Sequence, residues 1–319
     1  MAMTTGSVDL LTRGEVWSGE LKEILRDEMM AQKYVRMLEG FPDGDTFFIP
    51  SIGQAQVDDY SEDTEVAYRP LDTGQFTFSV DKYLSSATYI TKKAEQDSFY
   101  SEQIISRFVP EQERAIMAHF ETTTLAAADS GVSANSNEAL DGVEHRWAAA
   151  AGTISIEDFA RARFALKRAS VPDQALIAIV DPSVEYTINT ISNLVNVSNN
   201  PRFEGIVADG IATGMTFVKN IYGFDVYCSN YLADVTDNAL PDRDNSNVDF
   251  SSDNGKANLF FSAAPTVTPF VGAWRQMPEV DYEYNKDLQR HEYVTTSRYG
   301  VKLYRPENMV RVASKPSVV

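Results

Sequence analysis

The sequence predicts an α+β fold, and three observations carry that prediction. From Ser155 to Leu194 a helical pattern, a tight turn, an unbroken apolar run and a second helix start follow one another. From Thr46 to Thr91 the chain turns β-rich. From Asp97 to Asp129 helical periodicity returns.

Taken in order, residues 1–45 read as an arm. Met1 to Gly14 is small and polar, and Glu20 to Leu38 places Leu21, Ile24, Leu25, Val35 and Leu38 on one helical face that Gly40 ends. One amphipathic helix has little core of its own, so it must lie on the body or on a neighbour. Thr46 to Ile49, Gln75 to Val80 and Ser86 to Thr91 read as strands. The first two make a two-stranded ribbon, a form that is marginal alone in water. From Asp58 to Asp81 the ribbon holds seven carboxylates against Arg69 alone. An ordered ribbon needs a partner, and its charge predicts a basic one. Asp97 to Asp129 is mostly helical, with Pro110 expected to interrupt it and to open the longer helix. Ser130 to Gly142 reads as a polar loop.

The unit that follows is the most legible. Ser155 with Asp158 three residues on is a capping signature, and Ile156, Phe159, Ala162, Leu166 and Ala169 line one helical face. Arg161, Arg163, Lys167 and Arg168 take the opposite side. Pro172 stops the helix, and Ala175 to Val180 is a fully apolar run that marks a strand covered on both faces. Pro182 suits the first turn of the next helix. Phe203 to Phe217 is punctuated by glycine. Ala233 to Lys256 is a long acidic loop, of a length that is usually functional or mobile. Leu259 to Ala263, Pro269 to Trp274, Arg290 to Thr296, Tyr299 to Tyr304 and Met309 to Val312 resume β character.

The wording VPDQALIAIVDPSVEYTI, followed downstream by GFDVYCSNYL and by the ending RYGVKLYRPENMVRV, resembles major capsid proteins of tailed bacteriophages, the Hong Kong 97-type shell fold. The resemblance covers most of residues 46–315, in segment order and local wording. It implies an N-terminal arm (1–45), an extended β-hairpin loop (46–92), a peripheral domain with a long spine helix (93–152), an axial α/β domain (153–288) and return strands of the peripheral domain (289–319). It also implies a structural role: pentamers and hexamers of this chain in an icosahedral shell that encloses double-stranded DNA, located in the virion and assembled in the host cytoplasm. Portal and scaffolding proteins are the expected partners, with a decoration protein as a further one. An encapsulin-like compartment shell, or a hydrolase, is the alternative.

Bulk properties agree. Of 319 residues 43% are hydrophobic, enough for a real core rather than disorder. A net charge of −18 makes a poor general binder of nucleic acid, since each phosphate contact needs Lys or Arg, so DNA would be enclosed and not read. The single cysteine, Cys228, excludes an internal disulfide and fits a reducing cytoplasm. No apolar span is long enough for a membrane helix, and the N-terminus lacks a signal-peptide pattern.

Catalytic signatures are weak. Cys228 sits in an alternating strand with no nucleophile motif around it, and His119, His145 and His291 are isolated, without metal-ligand spacing. Asp242 to Val248 begins like a calcium loop but lacks the sixth-position glycine and the twelfth-position glutamate. The expectation is no enzyme, no cofactor and no metal. The residues expected to touch a neighbouring copy are Asp58, Asp59, Tyr60, Glu62, Asp63, Glu65 and Arg69 of the extended loop. Arg161, Arg163, Lys167 and Arg168 form a basic counter-patch. In the family's type member a loop lysine is cross-linked to a neighbour's asparagine, whereas here no lysine occurs from Thr46 to Asp81.

Overall fold

The computed structural model describes residues 31–38, 46–52, 57, 59, 62–63, 65, 73–97, 101–140, 142–190 and 217–316. Most of the predicted arm helix, the end of the second helix toward Leu194 and the glycine-punctuated segment lie outside them, as do Asp58, Tyr60 and Arg69.

The chain opens with α1 (Ala31–Tyr34) and β1 (Arg36–Met37). The ribbon follows: β2 (Thr46–Ile52) pairs antiparallel with β3 (Thr73–Ser79), Phe47 opposite Phe78. Then come β4 (Lys82–Thr91), α2 (Lys92–Asp97) and α3 (Ser101–Ala127). A small hairpin of β5 (Ala139–Leu140) and β6 (Val143–Glu144) leads into β7 (Arg146–Ala148). The predicted central unit is α4 (Ile156–Arg168), β8 (Leu176–Val180) and α5 (Pro182–Thr190). Next are β9 (Phe217–Ile221), β10 (Phe224–Cys228), β11 (Asp234–Val235), β12 (Leu240–Pro241) and β13 (Asn247–Val248). The chain finishes with β14 (Gly255–Ser262), β15 (Phe270–Asn285), β16 (Arg290–Leu303) and β17 (Met309–Ser314).

Two sheets carry the molecule. A seven-stranded sheet runs β7-β17-β14-β8-β10-β9, with β11 on β14, and a four-stranded sheet runs β1-β15-β16-β4. The central strand β8 is buried along its whole length because alternate residues meet different layers. Ala178 and Val180 pack with Phe159, Ala162 and Leu166 of α4 and with Val184 and Ile188 of α5. Ile177 and Ile179 pack with Phe120 and Leu125 of α3, on the other face. The continuous apolar run is the sequence form of that two-sided cover.

Local signals explain the ends of α4 and α5. The Asp158 carboxylate accepts the Ser155 N–H at 2.8 Å and the Trp147 Nε1–H at 3.2 Å, so one group caps the helix and holds a buried ring. Asp181 accepts the Ser183 N–H at 3.0 Å at the start of α5.

Three expectations need correction: the break at Pro110, the end of the strand at Trp274 and the loop at 233–256. Helix α3 runs through Pro110 unbroken, for 27 residues or about 40 Å. Proline removes one backbone hydrogen bond, but Ile116, Phe120 and Leu125 are buried beyond it, and tertiary packing of that face sustains the helix. The segment after Trp274 is the outer half of a 16-residue strand, paired with β16 and not with the seven-stranded sheet. β17 and β7 join the seven-stranded sheet at its other edge from β9. Finally, the acidic segment 233–256 is knitted down: Leu240 and Phe250 are buried, and β11 and the β12–β13 pair lie within it.

Candidate assembly interface

The ribbon is rooted firmly. Phe78 is buried with Val80, Val271 and Ala273, and Phe76 meets Tyr304 edge-on at 4.9 Å. Lys302 donates to the Thr77 carbonyl at 2.9 Å. The approach is so close at Gly300 that a Cβ there would lie 2.5 Å from the Ser79 carbonyl oxygen, which is why this position has no side chain. Phe48 is exposed, Val57 is 93% exposed, and Asp59, Glu62, Asp63 and Glu65 are all exposed.

The predicted counter-patch lies on the outer side of α4, and the structure qualifies it. Arg161 pairs with Glu144 and lies over the Trp147 ring at 4.8 Å. Arg163 and Lys167 share Asp173 at 3.1 and 3.2 Å, and Arg163 also donates to the Tyr222 carbonyl at 2.5 Å. Hydrogen bonds from Lys167 and then Arg163 hold the Asp173 carboxyl below the usual carboxylate range. Arg168 is exposed. The patch is therefore four cations against two carboxylates of its own chain, still net positive. Beside it, Gly142, Val143, Glu144, Arg161, Phe164 and Arg168 line an open depression of about 480 Å³. Phe164, off the buried stripe of α4, is 60% exposed at its edge.

Sequence reasoning missed the buried polar joints that fix these surfaces in place. Arg146 grips Asp129 with two bonds, 3.0 and 3.2 Å, and reaches Asp237 at 2.6 Å. Arg311 approaches the same Asp129 at 3.4 Å and pairs with Glu138. This network joins the residue just past α3, the β5 hairpin, β7, β17 and the 233–256 segment. A second joint is Glu121 of α3, which accepts the Ala31 N–H at 2.6 Å and the Tyr34 hydroxyl at 3.0 Å. Burial, and then the Glu121 charge, pushes the Tyr34 phenol well above its ordinary pKa.

Four of the residues weighed for chemistry, His119, His145, His291 and Asp242, make hydrogen bonds within the subunit. His119 shares a hydrogen bond with Tyr299 at 2.6 Å, His145 donates to the Val143 carbonyl at 3.0 Å, and His291 meets the Tyr282 hydroxyl at 2.5 Å. The Asp242 carboxylate accepts the N–H groups of Asp244 and Ser246, both at 2.8 Å. Among the described residues, no three His, Cys, Asp or Glu side chains gather as a metal-holding group, and no helix is long and apolar enough to cross a membrane.

Comparison with known proteins gives this geometry a context. A family model described as phage capsid protein matches residues 74–312. No curated protein matches the chain. Among solved structures, the capsid of the cyanophage P-SCSP1u superposes with a TM-score of 0.72 at 17% identity, covering 99% of this chain and 96% of that one. The cyanophage Pam1 capsid subunit gives 0.68 at 13%, covering 99% and 98%. A chain of Mycobacterium phage Che8 gives 0.66 at 16%, covering 93% and 96%. At these identities the likeness is one of fold.

Proposed function

The chain belongs to the phage capsid protein family, and from that membership we propose how its surfaces build a shell. Its role is that of a structural major capsid protein with the Hong Kong 97-type fold. The partner is the chain itself, in a closed shell of rings with pentamers and hexamers. The observation that carries this reading is the ribbon: rooted by Phe78 and Gly300, it exposes Val57 and a row of carboxylates that the subunit does not cover. The acidic tip, with Asp59, Glu62, Asp63 and Glu65, lies across a neighbouring copy and meets a positive face there. We assign the four-stranded sheet with α3 to the peripheral domain and the seven-stranded sheet with α4 and α5 to the axial domain, a division that follows pairing and not chain order.

A separate scaffolding protein, a portal and packaged DNA complete the proposed assembly, which takes place in the host cytoplasm and ends in the virion. Negative-stain microscopy of the protein, produced with and without the scaffolding gene, tests this. Closed shells of uniform size are expected with the scaffold, and irregular or partial ones without it. Monomers under both conditions would overturn the proposal. Nuclease-protected DNA inside shells recovered from infected cells distinguishes a virion from a protein-filled compartment.

No lysine-bearing ribbon is available for covalent cross-linking, because Thr46 to Asp81 holds none. Mature shells boiled in detergent are therefore expected to run as single subunits on a gel. A ladder of covalent oligomers would refute this.

A further inference from the structure

We propose that the depression beside α4, with Phe164 at its edge and Arg161 and Arg168 on its rim, is the seat of a second copy's ribbon tip, Val57 against Phe164. This rests on the shell reading above and names the contact within it. Two independent properties of the depression and the tip match.

The first is charge. In a chain of net charge −18 the outer side of α4 from Arg161 to Arg168 is net positive, four cations against Glu144 and Asp173, while Glu157 in the first turn is paired with Arg243. The ribbon from Asp58 to Asp81 is the reverse, seven carboxylates against Arg69. Copies that repel overall associate where their local potentials are opposite. The second is apolar surface. Phe164 and Val57 are exposed apolar side chains, 60% and 93%, next in the chain to Arg163 and to Asp58 respectively. A large apolar side chain within a polar rim is the usual anatomy of an interface anchor. Asp59 and Glu62, two and five residues after Val57 in the chain, are the carboxylates this docking assigns to Arg168.

The contact runs between copies and not within one. The ribbon is rooted on the four-stranded sheet through Val271 and Ala273. Phe159 and Leu166 bind α4 to the face of the seven-stranded sheet opposite the one that α3 covers. Ribbon root and depression thus belong to different sheets of one subunit, and a ribbon laid across a neighbour brings its outer part to that neighbour's depression.

The test pairs Val57→Cys with Phe164→Cys in one chain whose native thiol is removed by Cys228→Ser, assembled into shells and mildly oxidised. A ladder of disulfide-linked oligomers on a non-reducing gel, collapsed by reductant, is expected. Shells that form but show no ladder, or only an intrachain link, overturn the docking and leave the capsid role standing. Absence of shells from the unmodified protein is the separate failure of that role. Charge exchange provides a second route should the cysteine variant not assemble. Arg168→Glu and Asp59→Lys are each expected to lower shell yield by about tenfold, and the two together to restore it. Double variants no better than the singles overturn the proposal.

Discussion

Asp129→Ala is expected to destabilise the folded subunit by about 3–5 kcal/mol, the scale for removing one partner of a buried charge network. Asp129 is the shared acceptor of two arginines, Arg146 through two bonds and Arg311 through one. Both guanidinium groups are almost wholly buried, with side-chain exposures of 4% and 1%. Burial alone would drive both toward the neutral form, and at Arg311 it does push the pKa down against the pull of Asp129. At Arg146 the same burial is outweighed by Asp237 and Asp129, and the pKa ends above its ordinary value. Deleting Asp129 leaves two desolvated cations with Asp237 and Glu138 as their carboxylate partners and the Ser136 carbonyl on Arg146. A urea titration reads the result as a lower midpoint at unchanged slope. Arg146→Lys should recover little of the fork geometry and so behave like a lesion itself, because an ammonium cannot bind a carboxylate through two parallel bonds. A loss below about 1 kcal/mol for Asp129→Ala would show that water already solvates the network.

That network also marks how far the sequence can be read. The helix–strand–helix unit is legible because each of its signals is local: the cap at Ser155 and Asp158, the stripe through Phe159 and Leu166, the stop at Pro172, the apolar run into Val180. Arg146 and Asp237 are 91 residues apart, and Arg311 and Asp129 182 apart. In an acidic chain nothing local selects those partners from many others. The outer half of β15 failed for another reason. Its residues alternate, Val280, Tyr282 and Tyr284 against Glu279, Asp281 and Glu283, which is a strand period carried by polar and aromatic side chains and not by an apolar face. Pro110 misled because its cost is local while the packing that overrides it comes from the sheet beneath α3. Phe164 had a readable signal: it falls off the apolar stripe of its own helix.

Two phenylalanines, one in the seven-stranded sheet and one on the helix that covers it, should therefore separate folding from assembly. Phe260 lies at the centre of the seven-stranded sheet, wholly buried, edge-on to Phe159 at 5.0 Å and to Phe224 at 5.5 Å. Phe260→Ala removes a large side chain from a site that three elements enclose, and β14 is paired on both sides, so the backbone has little room to close the void. The expected loss is about 3–5 kcal/mol, read from urea unfolding of the subunit. Phe164→Ser changes the same residue type on the exposed side of α4, where solvent already reaches the ring. Its effect on subunit stability should stay within about 0.5 kcal/mol, the range of ordinary surface changes. Shell yield should fall all the same, because the lost apolar area belongs to the contact between copies. The first substitution then impairs assembly by depleting folded subunits, and the second impairs it with folded subunits in full supply. If Phe164→Ser shells formed as readily as those of the unmodified chain, the exposed ring would be an ordinary surface residue, and the positive side of α4 would have to find its partner elsewhere.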